Sequence, residues 1–316
     1  MKLVVTIPAY NEDKTIGNVI SDIPREIGGI QSVEVLVIDD GSTEDTVKRA
    51  IEAGADHIIS HKKNEGLGFA FRSGLEAALD VGADIIVNID ADGQYNAREI
   101  PKIIKPLLEN TADIVLGWRD IDQLDFMPMG KKIGNRLATR LTRMVSNIPV
   151  KDAQSGFRAF SKEAALRMNL SGRYTYVQET LMQAKYKGLK IEQVPIEFRA
   201  RQGESRLISN LVTYARRAGM IILTTYWNYH PLKILASIGG FLLLTGVALG
   251  IRVLVHFLQS GTVSPHTPST IAAALLIATG MQCIILGLFA EVLKKQRIFQ
   301  EEILYRLRKQ ESNGQR

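Results

Sequence analysis

Short apolar runs alternate with amphipathic stretches over the N-terminal part of the chain. Because buried strands are short and continuously apolar, the runs predict β-strands, and the stretches between them have the apolar spacing of helices. The predicted strands are residues 3–7, 33–38, 57–59, 85–89, 114–116, 154–160 and 190–198. The predicted helices are residues 14–25, 43–53, 67–79, 99–108, 130–146 and 176–187. This alternation predicts right-handed βαβ units, and therefore a Rossmann-like α/β domain with a mostly parallel sheet over residues 1–206.

Two long uncharged segments follow, at residues 234–251 and 269–290. A helix rises about 1.5 Å per residue, so each segment can cross a hydrocarbon core roughly 30 Å thick. A helix buried in a soluble core is the alternative, but two such segments joined by a short polar loop favour a transmembrane hairpin. We expect the membrane region at residues 231–293, with spans at about 232–257 and 268–292.

The distribution of basic residues orients this hairpin. The loop at residues 259–269 has no lysine or arginine, whereas basic residues flank the other two ends of the spans. These are Arg216, Arg217, Lys233, Lys294, Lys295, Arg297, Arg306 and Arg308. The positive-inside rule predicts a multi-pass protein of the cell membrane, or of an ER-type membrane, with the N-terminal domain and both termini in the cytoplasm.

The segments beside the hairpin agree with this arrangement. Residues 207–230 are apolar and end in a cluster of aromatic residues, which predicts amphipathic helices at the bilayer interface, and residues 294–316 are a basic cytoplasmic tail. Because much of the net charge of +6 flanks the spans, anionic headgroups explain it better than nucleic acid does. Four glycines in the first span would allow close helix packing and hence a homo-oligomer, namely Gly239, Gly240, Gly246 and Gly250.

The most informative polar residues follow the apolar run at residues 85–89. Asp90 and Asp92 lie one residue apart, so both carboxylates can point to the same side of an extended strand. Such a pair suits a hard divalent cation, Mg²⁺ or Mn²⁺, that binds the diphosphate of a nucleotide. For these two residues alone, an acidic turn at the end of a strand is the other interpretation.

Three further motifs end predicted strands or open predicted helices. In IPAYNE, residues 7–12, the tyrosine can stack on a base, and in VIDDGS, residues 37–42, a carboxylate can accept from a base or a ribose hydroxyl. The glycine-containing KNEGLG turn at residues 63–68 suits phosphate oxygens, and Arg72 lies one turn further on. Ligands bind at the carboxyl edge of such sheets, so the motifs together predict a nucleotide-diphosphate site. No G-x-G-x-x-G follows the first strand, which disfavours a dinucleotide dehydrogenase.

In this order, the motifs IPAYNE, VIDDGS, KNEGLG, DADGQ and DAQSGFR resemble those of family 2 glycosyltransferases of the GT-A fold. The hairpin and the segment FRARQGESRL resemble the polyprenyl-phosphate glycosyltransferases, among them the dolichyl-phosphate mannose synthases. The resemblance implies metal-dependent, inverting transfer of one sugar from a nucleotide-sugar to dolichyl or polyprenyl phosphate on the cytosolic face, for protein glycosylation or cell-envelope glycans. UDP-glucose, UDP-N-acetylglucosamine and GDP-mannose all remain open as donors, and the family resemblance leans towards GDP-mannose.

The strand-end motifs and the resemblance together give the expected site residues. Those for the nucleotide are Pro8, Tyr10, Glu12, Asp39, Asp40, Lys63, Gly68, Arg72, Asp90 and Ala91. Those for Mg²⁺ or Mn²⁺ are Asp90, Asp92 and Gln94. Those for the acceptor phosphate are Arg119, Lys131, Asn135, Arg199, Arg201 and Arg206. The expected catalytic residues are Asp92, Asp152, Arg119 and Arg201, with Asp152 orienting a cation or the sugar rather than accepting a proton.

Two other functions are compatible with parts of the sequence. A processive polysaccharide synthase would share the catalytic fold, but the chain lacks a Q-x-x-R-W motif, and two spans are too few to build a polymer channel. A catalytically degenerate membrane scaffold is disfavoured by the intact pair of Asp90 and Asp92 and by the complete set of nucleotide motifs.

Overall fold

The structure is a computed structural model of the chain, and it describes residues 1–170, 176–200, 227 and 230–314. The chain forms two compact units. The first lies within Met1–Ile222 and Ile303–Arg316, and the second lies within Leu223–Glu302. Most of the interfacial segment expected at residues 207–230 falls outside the described residues.

The first unit contains an α/β domain, as predicted. Its described strands are β1 Lys2–Ala9, β2 Ser32–Asp39, β3 His57–Ser60, β4 Ile85–Asn88, β5 Ile114–Trp118, β6 Arg158–Ser161 and β7 Ile191–Pro195. Its described helices are α1 Ile16–Ser21, α2 Thr46–Glu52, α3 Leu67–Asp80, α4 Ile100–Leu108, α5 Met129–Ser146, α6 Lys162–Arg167 and α7 Val177–Tyr186. Each predicted strand and helix of this domain has a counterpart here, and α6 is an additional helix.

The strand order of the described sheet is β3-β2-β1-β4-β6-β5-β7. All neighbouring pairs are parallel except those of β6, which runs antiparallel to β4 and to β5. Because β6 is reversed, its first residue Arg158 pairs with Asn88, the last residue of β4, and with Leu116 near the end of β5. The loop before β6 therefore lies at the same sheet edge as the carboxyl ends of β1, β2, β4 and β5.

Apolar residues cover both faces of the sheet, which is why its central strands read as continuous apolar runs. On one face, Leu3, Val5 and Ile7 of β1 belong to a buried cluster with residues of α1 and α4. On the other face, Val4 of β1 belongs to a cluster with residues of α3, α6 and α7. The sheet edge is thereby fixed between two packed layers, and the polar loops that leave it are held at defined positions.

The second unit contains the two long apolar helices, α8 Pro231–Ser260 and the N-terminal part of α9 Thr267–Gly314. Among the described residues, these two helices are long and apolar enough to cross a membrane. They pack closely, since a Cβ atom built on Gly239 would lie 2.6 Å from the carbonyl oxygen of Gly280, and one on Gly246 would lie 3.0 Å from that of Ala273.

Two of the four glycines that we expected to support an oligomer therefore contribute to packing inside the hairpin. The other two, Gly240 and Gly250, have no neighbouring atom within 4 Å of a built Cβ.

Candidate active site

The loops after β1 and β2 are tied together by their own side chains. The backbone N–H of Asn11 donates to Ser42 Oγ at 2.9 Å, and the N–H of Thr43 donates to Asn11 Oδ1 at 2.8 Å. Asn11 has a φ of 54°, a left-handed conformation that asparagine tolerates better than most residues. These bonds fix the loop in which Tyr10 lies 38% exposed at the sheet edge.

Three expected nucleotide residues lie beside this loop pair. Pro8 is buried at the end of β1, and Asp39 is buried at the end of β2 with its Oδ1 accepting from the N–H of Ser42 at 3.0 Å. Glu12 Oε2 accepts from Thr15 Oγ1 at 3.2 Å, at the start of α1. The structure thus brings Pro8, Tyr10, Glu12 and Asp39 to one corner of the sheet edge.

Asp40 is buried, and its carboxylate is engaged inside the protein. Its Oδ1 accepts from the N–H of Glu65 at 3.0 Å and lies 2.8 Å from His61 Nδ1, while its Oδ2 accepts from the N–H of Gly66 at 2.8 Å. The loop after β2 crosses this turn so closely that a Cβ on Gly41 would lie 2.5 Å from the backbone of Lys63. Asp40 therefore holds the KNEGLG turn in place. We expected it to bind the nucleotide directly, and nothing in the sequence indicated this contact with the turn.

The other nucleotide residues expected in and after this turn, Lys63, Gly68 and Arg72, differ in exposure and in the groups they contact. Lys63 is exposed, with its Nζ 3.6 Å from the carboxylate of Glu65, and Gly68 is buried in the first turn of α3. Arg72 donates to the carbonyl oxygen of Leu170 at 3.5 Å and lies with its guanidinium carbon 4.7 Å from the ring centre of Phe69. Arg72 is thus directed towards the segment that precedes residues 171–175.

The expected metal residues follow β4. Ala91 is buried, and Asp92 Oδ1 accepts from the N–H of Gln94 at 3.1 Å around a turn in which Gly93 has a φ of 73°. The carboxylate of Asp90 lies against Gly156 in the loop before β6, because a Cβ built there would be only 2.8 and 2.9 Å from the two Asp90 oxygens. Asp90 and the DAQSGFR loop are therefore in direct packing contact.

A buried polar layer supports this contact. Asn88 Nδ2 donates to the carbonyl oxygen of Gly156 at 3.0 Å and to Tyr176 Oη at 2.8 Å, and Tyr95 Oη accepts from the N–H of Gly156 at 2.9 Å. The Tyr176 ring stacks on Phe71 with the ring centres 3.7 Å apart. Burial raises the pKa of Tyr95 to about 12 and raises the pKa of Tyr176 well above its ordinary value. Both phenols are therefore neutral hydrogen-bonding groups near neutral pH.

Arg119 and Asp152 form a buried ion pair at the same edge. Arg119 Nε donates to Asp152 Oδ2 at 2.6 Å, Arg119 Nη2 donates to Oδ1 at 3.2 Å, and Asn135 Nδ2 of α5 donates to Oδ1 at 3.4 Å. Burial alone would lower the pKa of Arg119, but its neighbours raise it on balance, among them the carboxylate of Asp152 with which it pairs, so the guanidinium remains charged. Asp152 is 1% exposed and holds a cation, a geometry that suits the orienting role expected from the sequence.

A second buried cation, Arg158, organises the loop from within. Its guanidinium donates to the carbonyl oxygens of Ala153 at 3.2 Å, Ser155 at 2.9 Å and Val177 at 2.8 Å, and also to the hydroxyl of Thr180. Burial lowers its pKa to about 10, which still leaves it protonated near neutral pH. Arg158 therefore joins the loop before β6 to the start of α7. The sequence showed Arg158 only as the last residue of the DAQSGFR motif and did not indicate this structural role.

Gln94 connects the metal turn to the end of the described domain. The N–H of Arg199 donates to the carbonyl oxygen of Gln94 at 2.8 Å, and Gln94 Nε2 donates to the carbonyl oxygen of Arg199 at 3.3 Å. The Arg199 guanidinium lies 3.1 Å from Glu197 and 3.9 Å from Asp22, and it lines a cavity of about 340 Å³ that Asp92 also lines.

The other expected phosphate-binding residues have different placements. Lys131 lies partly buried in the first turn of α5, whereas Arg201 and Arg206 lie outside the described residues.

The donor set at Asp90 and Asp92 can be compared with what a divalent cation needs. No group of three or more histidine, cysteine, aspartate or glutamate side chains among the described residues could hold a metal ion on its own. Mg²⁺ is commonly held by one or two carboxylates, with phosphate oxygens of a substrate completing its shell. Two carboxylates at this edge fit a cation that binds together with a diphosphate.

We predict that Gly156→Ala lowers turnover about 100-fold, because the new methyl group displaces the Asp90 carboxylate, and a shift of about 1 Å can cost that much. The measurement is the rate of the sugar transfer that the motif resemblance implies, as a function of divalent-metal concentration. The rate should also reach half its maximum at a higher metal concentration than in the wild type. Gly28→Ala is the matched control, since nothing lies within 4 Å of its built Cβ. Wild-type turnover in Gly156→Ala would show that this contact has no role.

Comparison with known proteins agrees with the fold and with the motifs. Residues 4–167 match the family described as Glycosyl transferase family 2, and residues 213–294 match the Glycosyltransferase family 2 C-terminal transmembrane region. The UDP-N-acetylglucosamine--dolichyl-phosphate N-acetylglucosaminyltransferase of Methanococcus voltae is 34% identical over 62% of this chain and 84% of that protein. The glycosyltransferase AglJ of Haloferax volcanii is 30% identical over 92% of each chain.

A solved structure supports the same assignment. Glucosyl-3-phosphoglycerate synthase from Mycobacterium tuberculosis, in complex with Mn²⁺, uridine diphosphate and phosphoglyceric acid, has a TM-score of 0.58 and 25% identity. The match covers 71% of this chain and 78% of that chain. The chain belongs to glycosyltransferase family 2, and it is a glycosyltransferase with a GT-A-like domain and a C-terminal membrane region. The resemblance found in its motifs is thereby confirmed.

Proposed function

We propose that this enzyme transfers one sugar from a nucleotide-sugar to dolichyl or polyprenyl phosphate at the cytosolic face of the membrane, with a divalent metal and with inversion at the anomeric carbon. One observation carries the proposal. The buried cluster of Arg119, Asp152 and Asn135 lies at the same sheet edge as Asp90, and the DAQSGFR loop links the two through Gly156. A guanidinium that can bind a phosphate, from Arg119, lies at the same edge as the proposed metal-binding residues Asp90 and Asp92. This arrangement suits a reaction between a phosphate and a nucleoside diphosphate-sugar.

The donor half of the site consists of the corner around Tyr10 and Asp39 for the nucleoside and the pair of Asp90 and Asp92 for the diphosphate. Asp90 and Asp92, with Gln94 beside them, would hold Mg²⁺ or Mn²⁺. When bound, the metal would neutralise charge on the diphosphate as a Lewis acid. The Mycobacterium tuberculosis neighbour was crystallised with Mn²⁺ and uridine diphosphate, which supports a divalent metal and a nucleotide as ligands of such a domain.

The acceptor half of the site centres on Arg119. Its Nε and Nη2 are engaged by Asp152, which fixes the plane of the guanidinium. Its Nη1 donates to none of the described residues, and we assign it to an oxygen of the lipid phosphate. The Oδ1 atom of Asn135 is buried and also has no hydrogen-bond partner among the described residues, so it can accept from a hydroxyl of the sugar. Planar guanidinium groups suit phosphate because they offer several N–H donors in fixed directions.

The chemistry needs orientation more than a base. The acceptor phosphate is ionised near neutral pH, so one of its oxygens can form the bond to the sugar C1 without losing a proton. The bond between C1 and the diphosphate oxygen breaks, and the nucleoside diphosphate leaves with the electron pair. A single displacement from the opposite side inverts the anomeric centre, and most of the rate enhancement comes from alignment and from charge stabilisation.

The membrane region supports the choice of a lipid acceptor. A helix pair apolar enough to span a bilayer keeps the enzyme in the phase that holds a polyprenyl phosphate. Basic residues flank the pair on the side opposite the short loop, which favours a cytosolic active site. The name of the Methanococcus voltae relative gives dolichyl phosphate as its acceptor, which agrees with this proposal.

A donor screen tests this function. The purified full chain is incubated with Mg²⁺ or Mn²⁺, a short polyprenyl phosphate and labelled UDP-N-acetylglucosamine, UDP-glucose or GDP-mannose. UDP-N-acetylglucosamine is the first donor to test because the Methanococcus voltae relative is named for it. We expect label in the organic phase with one of these donors. No organic-phase label with any of them contradicts the proposal.

A further inference from the structure

Helix α5, Met129–Ser146, has the reverse of the usual amphipathic arrangement. Its buried side consists of small or polar residues, namely Asn135, Ala138, Thr139, Thr142 and Ser146. Four of its large apolar residues are exposed instead: Met129 is 67% exposed, Ile133 55%, Leu137 52% and Met144 67%. A surface helix normally buries its apolar stripe and exposes its polar one, so this face has the character of a contact site for an apolar partner.

The outward face also carries positive charge. Lys132, Arg136 and Arg143 form a stripe beside the apolar residues, and Arg140 lies exposed among them. The sequence of α5 contains five basic residues and no acidic residue. Arg136 pairs with the carboxylate of Asp122, Lys132 donates to the carbonyl oxygen of Asp122, and Arg143 donates to the carbonyl oxygens of Val150 and Lys151. Apolar residues next to arginine and lysine are the pattern of a helix that lies in the interface of an anionic bilayer.

We propose that the outward face of α5 lies on the lipid bilayer, with Ile133 and Leu137 at the boundary of the acyl chains and the arginines among anionic headgroups. The contact is additional to the membrane-spanning helices and to the interfacial segment expected at residues 207–230. A second copy of the chain is the competing occupant, but facing copies of α5 would bring two sets of five basic residues together, and the helix itself contains no acidic residue to pair with them.

The contact would have a consequence for catalysis. Lys131 and Asn135 lie on the same helix, so a bilayer at its outer face would keep a lipid phosphate close to the acceptor half of the site. This consequence rests on the proposed function, whereas the bilayer contact itself does not. A failure of the donor screen therefore leaves the contact to be judged by its own experiment.

Site-directed fluorescence tests the contact in the full chain. Cys283, the single cysteine, is replaced by serine, and a bimane label is attached at Leu137→Cys or, as control, at Ile51→Cys on α2, which is also apolar and 58% exposed. Each labelled protein is reconstituted into vesicles of phosphatidylcholine and phosphatidylglycerol with brominated acyl chains. We expect the label at position 137 to lose most of its fluorescence and the label at 51 to lose little.

Two results overturn the proposal. Equal quenching at the two positions would show that α5 has no special contact with the bilayer. A label at position 137 that is shielded from aqueous iodide but insensitive to brominated lipid would identify a protein partner, such as a second copy, in place of lipid. Ile133→Cys provides an independent position on the same face. An unchanged far-UV circular dichroism spectrum and a single symmetric size-exclusion peak confirm that each labelled protein is folded.

Discussion

We expect Asp92→Asn to lower the turnover of sugar transfer by about a thousandfold. In the proposed mechanism the metal would stabilise the leaving diphosphate by several kcal/mol, and about 1.4 kcal/mol corresponds to a factor of ten. The side chain keeps its size, and its remaining oxygen can still accept from the N–H of Gln94, so the turn should persist. The measurement is kcat at saturating donor and acceptor over a range of Mn²⁺ concentrations. Chelation by EDTA should reduce the wild-type rate similarly, and added Mn²⁺ should restore it.

The control for this variant is Asp80→Asn, which removes an exposed carboxylate at the end of α3. It should leave the rate and its metal dependence unchanged. If Asp92→Asn keeps the wild-type rate, or if EDTA has no effect on the wild type, then the metal role assigned to this carboxylate pair is wrong.

Asp152→Asn should be nearly inactive and also less stable. Asp152 is 1% exposed and is the carboxylate that neutralises Arg119, whose side chain is 10% exposed, so its loss leaves a largely buried charge uncompensated. Breaking one partner of a buried ion pair typically costs about 3–5 kcal/mol. Unfolding in urea measures this loss, and the initial rate of transfer measures the effect on activity.

The paired variant separates the two effects. Arg119→Gln together with Asp152→Asn removes both charges, so the double variant should recover most of the stability that Asp152→Asn loses. Its activity should nevertheless stay low, because no guanidinium remains to bind the acceptor phosphate. Arg119→Lys keeps the charge without the planar fork, and it should raise the KM for the lipid phosphate. A double variant that regains both stability and activity would assign Arg119 a purely structural role.

Much of the sheet could be predicted because its central strands are buried on both faces. Residues 3–7 and 85–89 are continuously apolar for that reason, and the polar motifs after them had to lie at the carboxyl edge. The reversed direction of β6 could not be predicted, since a short strand has the same pattern in both directions. That reversal brings Gly156 onto Asp90, a contact between residues far apart in the sequence.

In the candidate site, too, the sequence identified individual residues but could not predict the contacts between them. From the sequence, the adjacent carboxylates of Asp39 and Asp40 were both expected to bind the nucleotide. In the structure, however, Asp40 accepts hydrogen bonds from the backbone N–H groups of Glu65 and Gly66. The resemblance placed Arg119 and Asp152 at the site but could not show that they bind each other. Tyr95 and Tyr176 belong to none of the recognised motifs. Each supports the site through a hydrogen bond in the buried core, to Gly156 and to Asn88 respectively, and such a bond leaves no pattern in the sequence.

The central claim is that a phosphate on a lipid receives a single sugar. The most direct measurement is mass spectrometry of the organic-phase product formed from the active donor, with polyprenyl phosphate or the matching unphosphorylated polyprenol as acceptor. We predict one sugar attached to polyprenyl phosphate and no product from the polyprenol. Products with many sugars, or equal glycosylation of the polyprenol, would contradict this account.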